Sequence, residues 1–419
     1  MSALHFIHGG PIAISVFQMI LNTVLSSPDM SEEKELNAAH ASVLYKGHSK
    51  DKMLASSYRT ISNCPFLAKA LDYYVRSLSI EEWENARPEN QFLGANKSHE
   101  LGALLLTETI NYSLEVLKKP AFCLLLDARS AFDLTIREIT VRKLHLSGTS
   151  GHKLWYLDNR LKSRSTYVEW DHKILGPIHD ELGFEQGGIS SGDLYTLYNA
   201  DQLTCGSEAK LGIDVGPIHV ASLGQADDVV LISNDMIILN NHLQLTLDYC
   251  KDHHVTLAPE KIKLLVFHTS HQKHLVDYQK ATFPININGL DIQFVDEAEH
   301  VGVIRSVHGN LPHIQSRISS HLKKLFMLLP AGLSRGRNLN PTASFRIESV
   351  YATPVLLSGL AAIKLSKSDL KILHRHLKEV IQNLQKLHKG TPECFINFLG
   401  GHPGATALVH MRQLSLSSE

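Results

Sequence analysis

Net charge is almost absent from this chain: 41 Lys and Arg stand against 42 Asp and Glu. No overall basic field exists that would by itself point to nucleic acid, so any such binding has to come from local patches. Cysteine is scarce as well. Cys64, Cys123, Cys205, Cys250 and Cys394 are odd in number, scattered, and never form a C-x-x-C pair. That pattern argues against a disulfide framework and a zinc ribbon, and it fits a reducing compartment. Long apolar runs are missing too. The best candidate, residues 12–25, is interrupted by Ser15, Gln18 and Asn22 and falls short of the ~20 residues a membrane span needs. It reads as a buried helix, and without a basic leader or a clear small-residue cleavage site it does not read as a signal peptide. Repeats and low-complexity tracts are absent. With 419 residues, 43% hydrophobic and 20% charged, the composition is that of an ordinary globular protein of two or three domains.

What is present is two short acidic clusters about 100 residues apart, Asp127 to Asp133 in LLLDARSAFD and Asp227-Asp228 in GQADDVVLIS. Each adjoins an apolar run that reads as a buried strand, where carboxylates are costly unless metal or partners compensate them. A pair of divalent cations suits the chemistry. Mg²⁺ is held by one or two carboxylates plus substrate phosphates, and two such ions can clamp an in-line phosphoryl displacement.

The spacing predicts helices over 65–78, 100–118, 134–146, 154–161 and 237–251, with Gly148 as the C-cap of the third. Strands are expected at 121–126, at 218–223 and 229–232 as a hairpin across QADD, and in the last part of VTLAPEKIKLLVF; a further hairpin turns at Asn288-Gly289. The stretch 27–40 reads as a helical connector. FEQGGISSGDLYTLYNADQL reads as a glycine-rich loop opening into a helix, a form that lets backbone approach a ligand. Lys46, Lys50, Lys52 and Arg59 make a basic loop suited to phosphate oxygens or simply a solvated hairpin. Beyond about Gly309 the pattern is helical only, with Ser366-x-x-Asp369 as a capping start and leucines at one-face spacing from Leu370 to Leu387.

In this order the motifs resemble the reverse transcriptase of a non-LTR (LINE-type) retrotransposon over residues 40–305. The resemblance implies an α+β fold: a right-hand polymerase palm and fingers with an antiparallel sheet, followed by an all-helical thumb or connection. Its division would be an N-terminal helical extension at 1–40, fingers and palm at 41–308, and the thumb-like region at 309–419. LLLDARSAFD is similar to the first palm motif, which makes Asp127 a metal ligand and Phe132 the gate beneath the incoming sugar. Gln186 and Gly187 correspond to the Gln-Gly pair against nucleotide and template. QADDVVLIS resembles the Ala-Asp-Asp hairpin, giving Asp227 as a catalytic ligand with Asp228 beside it. Lys261 in APEKIKLLVF corresponds to the Lys that protonates pyrophosphate, and Lys46 and Arg59 fall in the segment that meets the triphosphate. Implied with these are two Mg²⁺ ions, with Mn²⁺ as the alternative, and an RNA template, a DNA primer and dNTPs as partners. An intracellular location, nuclear or cytoplasmic, is expected, and the oligomeric state is left open.

Departures from the pattern are local. Gln225 stands where an aromatic residue usually precedes Ala-Asp-Asp, Gly192 stands where Pro is common, and QFLGANKSHE keeps Gln91 and Phe92 but lacks the usual Gly-Phe-Arg run. They motivate a second hypothesis, an inactive or repurposed palm that binds nucleic acid or a protein partner without catalysis. With no endonuclease-like segment or zinc knuckle in view, a fragment of a longer element is also expected. A hydrolase on a parallel sheet, using Asp127 as nucleophile, is the third reading; the hairpin around Ala226 argues against it. Asp133 reads as the N-cap of the following helix rather than as a third metal ligand, and Phe132 keeps core packing as its plainer role. His268, His271 and His274 have spacing that does not promise a preformed metal site.

Overall fold

The computed structural model describes residues 9–26, 37–47, 50–94, 97–162, 164–333, 340–392, 394–396 and 404–417. In chain order the elements are α1 (Gly10–Ser26), β1 (Ala38–Tyr45), β2 (Tyr58–Asn63), α2 (Phe66–Ala86), α3 (His99–Glu115), β3 (Ala121–Leu126), α4 (Arg137–Leu146), α5 (Gly151–Lys162), β4 (Ser165–Trp170), β5 (Lys173–His179), α6 (Ser191–Tyr198) and α7 (Ala200–Glu208). There follow β6 (Ile213–Val215), β7 (Ile218–Val220), β8 (Ser222–Gln225), β9 (Asp228–Ser233), α8 (Met236–Asp252), β10 (Lys263–Phe267), α9 (Lys273–Thr282), and two short hairpins, β11 (Asn286–Ile287) with β12 (Leu290–Asp291) and β13 (Glu297–His300) with β14 (Val303–Ser306). The remainder is α10 (Leu311–Leu328), α11 (Pro341–Tyr351), α12 (Thr353–Leu357), α13 (Lys367–Leu384) and α14 (Ala405–Ser417). These group into two compact units interleaved along the chain: residues 1–95, 127–205 and 244–258 form the first, and 96–126, 206–243 and 259–419 the second.

The first unit is built on a four-stranded mixed sheet in the order β2-β1-β4-β5, in which β1 is antiparallel to β2 and parallel to β4. Ion pairs, buried at Arg87 and Arg160 and partly exposed at Arg76, tie its elements together. Asp193 of α6 receives Arg76 Nε at 2.6 Å and Arg87 Nη2 at 2.8 Å, and Arg160 Nη2 meets Glu185 at 3.0 Å. Breaking such a pair by removing one partner costs about 3–5 kcal/mol, because the other charge is left buried.

The second unit carries an antiparallel sheet in the order β10-β3-β9-β8. Every residue of β3 is buried, the mark of a central strand covered on both faces. The helical part packs Ile314, Leu356, Leu373 and Leu377 together with Ala103 and Val303. A polar chain lies within it: His321 joins His376 at 2.8 Å and Glu348 at 3.1 Å, and Thr353 donates to Glu348 at 2.7 Å.

The expected Ser366/Asp369 capping box is present on α13, and Gly148 takes φ +101° just past α4. Asn288 and Gly289 both have positive φ, as a two-residue hairpin turn requires. Four expectations change. α1 forms but is not buried: of its residues only Val24 is, while Ile12 and Met19 lie open to solvent. Residues 218–223 are not one strand, because β7 pairs with β6 while β8 pairs with β9. The connector read as a helix at 27–40 gives way to β1 from Ala38, and its residues 27–36 lie outside the described ones. Finally, α4 starts at Arg137 with Ile136 at its N-cap, so Asp133 does not cap it.

Candidate active site

The two acidic clusters are placed by strand register. In the second unit β3 and β9 run antiparallel with Leu126 opposite Val229, and β8 and β9 pair up to Gln225 opposite Asp228. Asp127 is the next residue after Leu126, and Asp228 the residue before Val229. The β8–β9 connection is a two-residue turn, Ala226-Asp227, with Ala226 at φ +57°. A side chain in that region is strained, and such strain persists where the surroundings over-determine it. Asp227 is half-buried and Asp228 exposed. Lys261 is exposed in the turn before β10, the strand that flanks β3 on its other side.

In the first unit the segment after Asp127 is fixed by its backbone. Ala258 N donates to Asp127 O at 2.9 Å, Arg129 N to Thr256 O at 2.8 Å, and Ala128 bridges Leu257. Further on, Phe184 N donates to Phe132 O at 2.7 Å, and the Phe132 ring stacks on Tyr195 of α6 at 4.5 Å between centroids and 19° between planes. Phe132 is therefore half-buried against an aromatic partner rather than sunk in the core.

The Gln186-Gly187 loop meets both neighbours. Ser62 N of β2 donates to Gln186 O at 2.8 Å, and Gln186 Nε2 donates to Asp133 Oδ1 at 3.0 Å. Gly187 has φ +110°, and a Cβ there would lie 3.0 Å from Ser62 O, so the close approach to β2 requires glycine. Behind the loop, Glu185 is buried with Arg160 and with the Cys64 thiol, which donates to it at 2.7 Å. Burial and the Glu185 charge push the Cys64 thiol up to about 12. Burial alone would raise the Glu185 carboxyl, but Arg160, the Cys64 hydrogen bond and Arg164 outweigh it and hold it below the usual carboxylate range. Lys46 and Arg59 are both exposed on the β1–β2 hairpin, Arg59 opposite Leu44 in the register.

The first unit thus holds Gln186 and Gly187 against β2 and Phe132 against Tyr195, and the second carries Asp227, Asp228 and Lys261 at one sheet. Sequence reasoning missed the Arg76–Asp193–Arg87 cluster and Tyr195. Asp193 sits in the first turn of α6, where an acidic residue is ordinary, so nothing local signalled its arginine partners. Among the described residues no three Asp, Glu, His or Cys side chains are grouped to hold an ion by themselves, the histidines near 268–274 included. A carboxylate-only donor set still suits a hard cation, since Mg²⁺ takes one or two protein carboxylates and completes its shell with substrate phosphates and water.

A family model described as reverse transcriptase (RNA-dependent DNA polymerase) matches residues 47–292. The chain belongs to the reverse transcriptase family. Its fold is that of a reverse-transcriptase-type polymerase, mixed α/β with antiparallel sheets, with palm and fingers followed by a helical region. Members of this family bind nucleic acid templates and generally use divalent metal ions. No curated protein sequence matches this reverse transcriptase. Among solved structures it is similar to telomerase from Candida albicans in complex with a TWJ fragment of telomeric RNA (10% identity, TM-score 0.49, 92% of this chain and 60% of that one). It is also similar to apo telomerase from Candida tropicalis (10%, 0.49, 88% and 62%) and to that enzyme truncated of its C-terminal domain (10%, 0.44, 65% and 54%). The chain spans 54% to 62% of the length of these structures. Among the described residues no helix is long and apolar enough to cross a membrane.

Proposed function

We propose that this reverse transcriptase is the RNA-directed DNA polymerase of a non-LTR retrotransposon, extending a DNA primer with dNTPs on an RNA template inside the cell. The single observation that carries the reading is the register of β3 and β9, with Leu126 opposite Val229 and an aspartate adjoining each. In this reading residues 41–308 are fingers and palm, 309–419 the thumb or connection, and 1–40 an extension.

Asp127 and Asp227 would hold two Mg²⁺ ions, or Mn²⁺, with Asp228 alongside. When bound, such ions lower the pKa of the attacking 3′-hydroxyl and neutralise charge on the pyrophosphate leaving group. The protein's own share is position. Phe132, held by Tyr195, closes the space beneath the sugar; Gln186 and Gly187 lie along nucleotide and template; Lys46 and Arg59 meet phosphate oxygens as charge-assisted donors. Lys261, exposed in the turn before β10, would deliver a proton to pyrophosphate.

A second reading, a palm that binds without copying, is favoured by Gln225 in place of the usual aromatic residue. Primer extension on a homopolymer RNA template with Mg²⁺ or Mn²⁺ separates the two. Extension that is lost by at least a thousandfold in Asp227→Asn and in Asp127→Asn supports the polymerase. No incorporation with either metal leaves the second reading standing.

A further inference from the structure

The sheet of the first unit ends in three aromatic rings that no step above uses. Tyr45 of β1 pairs with Tyr58 of β2, their ring centroids 5.5 Å apart, and Tyr58 meets Trp170 of β4 edge-on at 5.1 Å. Trp170 is 46% exposed and Tyr45 37%. Rings of this size at a strand end are normally covered.

Both tyrosine hydroxyls are engaged on the basic β1–β2 loop. Tyr45 Oη donates to Lys50 O at 2.5 Å and Tyr58 Oη to Lys52 O at 2.9 Å, while Lys52 Nζ lies 5.7 Å from the Tyr45 ring centroid. The hydroxyls therefore hold the backbone of the lysine loop against the rings, with the Lys52 ammonium over Tyr45. On the far side Lys173 pairs with Trp170 across the β4–β5 turn. Lys50, Lys52 and Lys173 are all exposed. Over residues 44–60 the cations Lys46, Lys50, Lys52 and Arg59 face a single carboxylate, Asp51, whose Oδ1 accepts from Met53 N at 2.8 Å.

We propose that Tyr45, Tyr58 and Trp170, with Lys50, Lys52 and Lys173, form a stacking platform for unpaired nucleic acid, the template strand not yet copied. Naming that strand rests on the polymerase reading; the binding itself does not. Every base presents a π-face to an aromatic ring whatever its sequence, and the lysines supply phosphate contacts along the backbone. A duplex hides its base faces and gains only the lysines. An apolar protein segment would have to strip water from three ammonium groups, so charge favours the polyanion.

The test is fluorescence anisotropy with the full chain, a labelled 12-nucleotide single-stranded RNA and the blunt duplex of the same sequence. Trp170→Ala is expected to weaken single-strand binding about tenfold, the loss of roughly one stacked base, and to leave duplex binding within about twofold. Trp170→Phe keeps a ring and should stay within about threefold of wild type. At solvated side chains where folding is not at risk, the Lys50→Ala/Lys52→Ala pair should lower the slope of log affinity against log salt by about 1 to 1.5. Unchanged single-strand affinity in Trp170→Ala, an equal loss on the duplex, or an unchanged salt slope would overturn the platform. If wild type extends no primer yet shows the Trp170 effect, the polymerase reading fails and the platform stands. If it extends primers and Trp170→Ala binds normally, the reverse holds.

Discussion

Gln186 donates through Nε2 to Asp133 Oδ1 at 3.0 Å, which ties the glycine-rich loop to the end of the first acidic cluster. An ionised carboxylate only accepts, so the amide NH₂ must face Asp133 and Oε1 must face the other way. The bond therefore fixes the orientation of the Gln186 amide and not only its place. It also gives Asp133 a task different from the helix cap its sequence position suggested.

Asp133→Ala removes that acceptor and frees the amide to rotate. One such hydrogen bond contributes about 1 kcal/mol at this exposed site. The expected result in primer extension is a five- to tenfold rise in KM for dNTP with kcat within twofold, and Asp133→Asn, which keeps an Oδ1 acceptor, should fall between. A drop in kcat alone would assign Asp133 to the chemical step instead.

Gly187→Ala should be worse than its size suggests. It places a Cβ at positive φ, costing about 1–2 kcal/mol, and at 3.0 Å from Ser62 O, where the strand would have to move. Gly216 offers the control: its φ is +60° but nothing lies within 4 Å of a Cβ. Gly216→Ala is expected to lose stability by strain alone and to extend primers normally, while Gly187→Ala loses extension by tenfold or more. Equal activity in the two variants would mean the loop does not need its contact with β2.

The elements were legible where side-chain period and chain chemistry agree. The continuous apolar run at β9, the Asn288-Gly289 turn and the Ser366 capping box are all local signals, and all appear in the fold. α1 shows the limit of such signals. Its apolar content set the helix but said nothing of what would cover it, and most of it stays exposed. The strand split at Ala221 follows from a local hairpin, β6 with β7 across Gly216-Pro217, whose Gly-Pro turn signal is masked by an apolar run that reads as continuous. For the site, the acidic pairs stood out because carboxylates beside buried strands are anomalous. Tyr195 and the arginines on Asp193 did not, since a helix hides which of its turns meets residues about a hundred positions away.

The Asp193 cluster predicts a stability effect without a first-order catalytic one. Arg87 has a side chain only 1% exposed, and Asp193 is one of its two carboxylate partners. Asp193→Asn keeps the shape but removes the charge, leaving Arg87 with Glu84 and Thr196. Destabilisation of about 3 kcal/mol is expected in urea unfolding monitored by far-ultraviolet circular dichroism. A change below about 0.5 kcal/mol would show that solvent reaches the pair.

The second unit should be acid-labile because it buries neutral imidazoles. Burial lowers His242 to about 4, with His219 adding to it, and burial lowers His300 to about 3, His313 to about 4 and His376 to about 4, the last two helped by Arg317 and His321 respectively. Two of these rings also have fixed roles that a proton disturbs: Ile304 N donates to His313 Nδ1 at 3.2 Å, and His376 Nε2 meets His321. A histidine whose folded pKa lies below its unfolded value of ~6.5 is neutral in both states at pH 8 and contributes no pH-dependent difference there. As pH falls through 6.5 the unfolded chain takes up protons that the folded one refuses, so stability declines with falling pH down to about 4. Each ring contributes on the order of 1–2 kcal/mol by pH 5, less where water reaches it. Thermal unfolding followed between pH 8 and 5 should therefore show a flat upper range and a steep fall below 6.5, and His300→Asn should flatten that fall. A midpoint that held constant to pH 5 would mean these rings are hydrated, and the helical core around His313 and His376 looser than its packing implies.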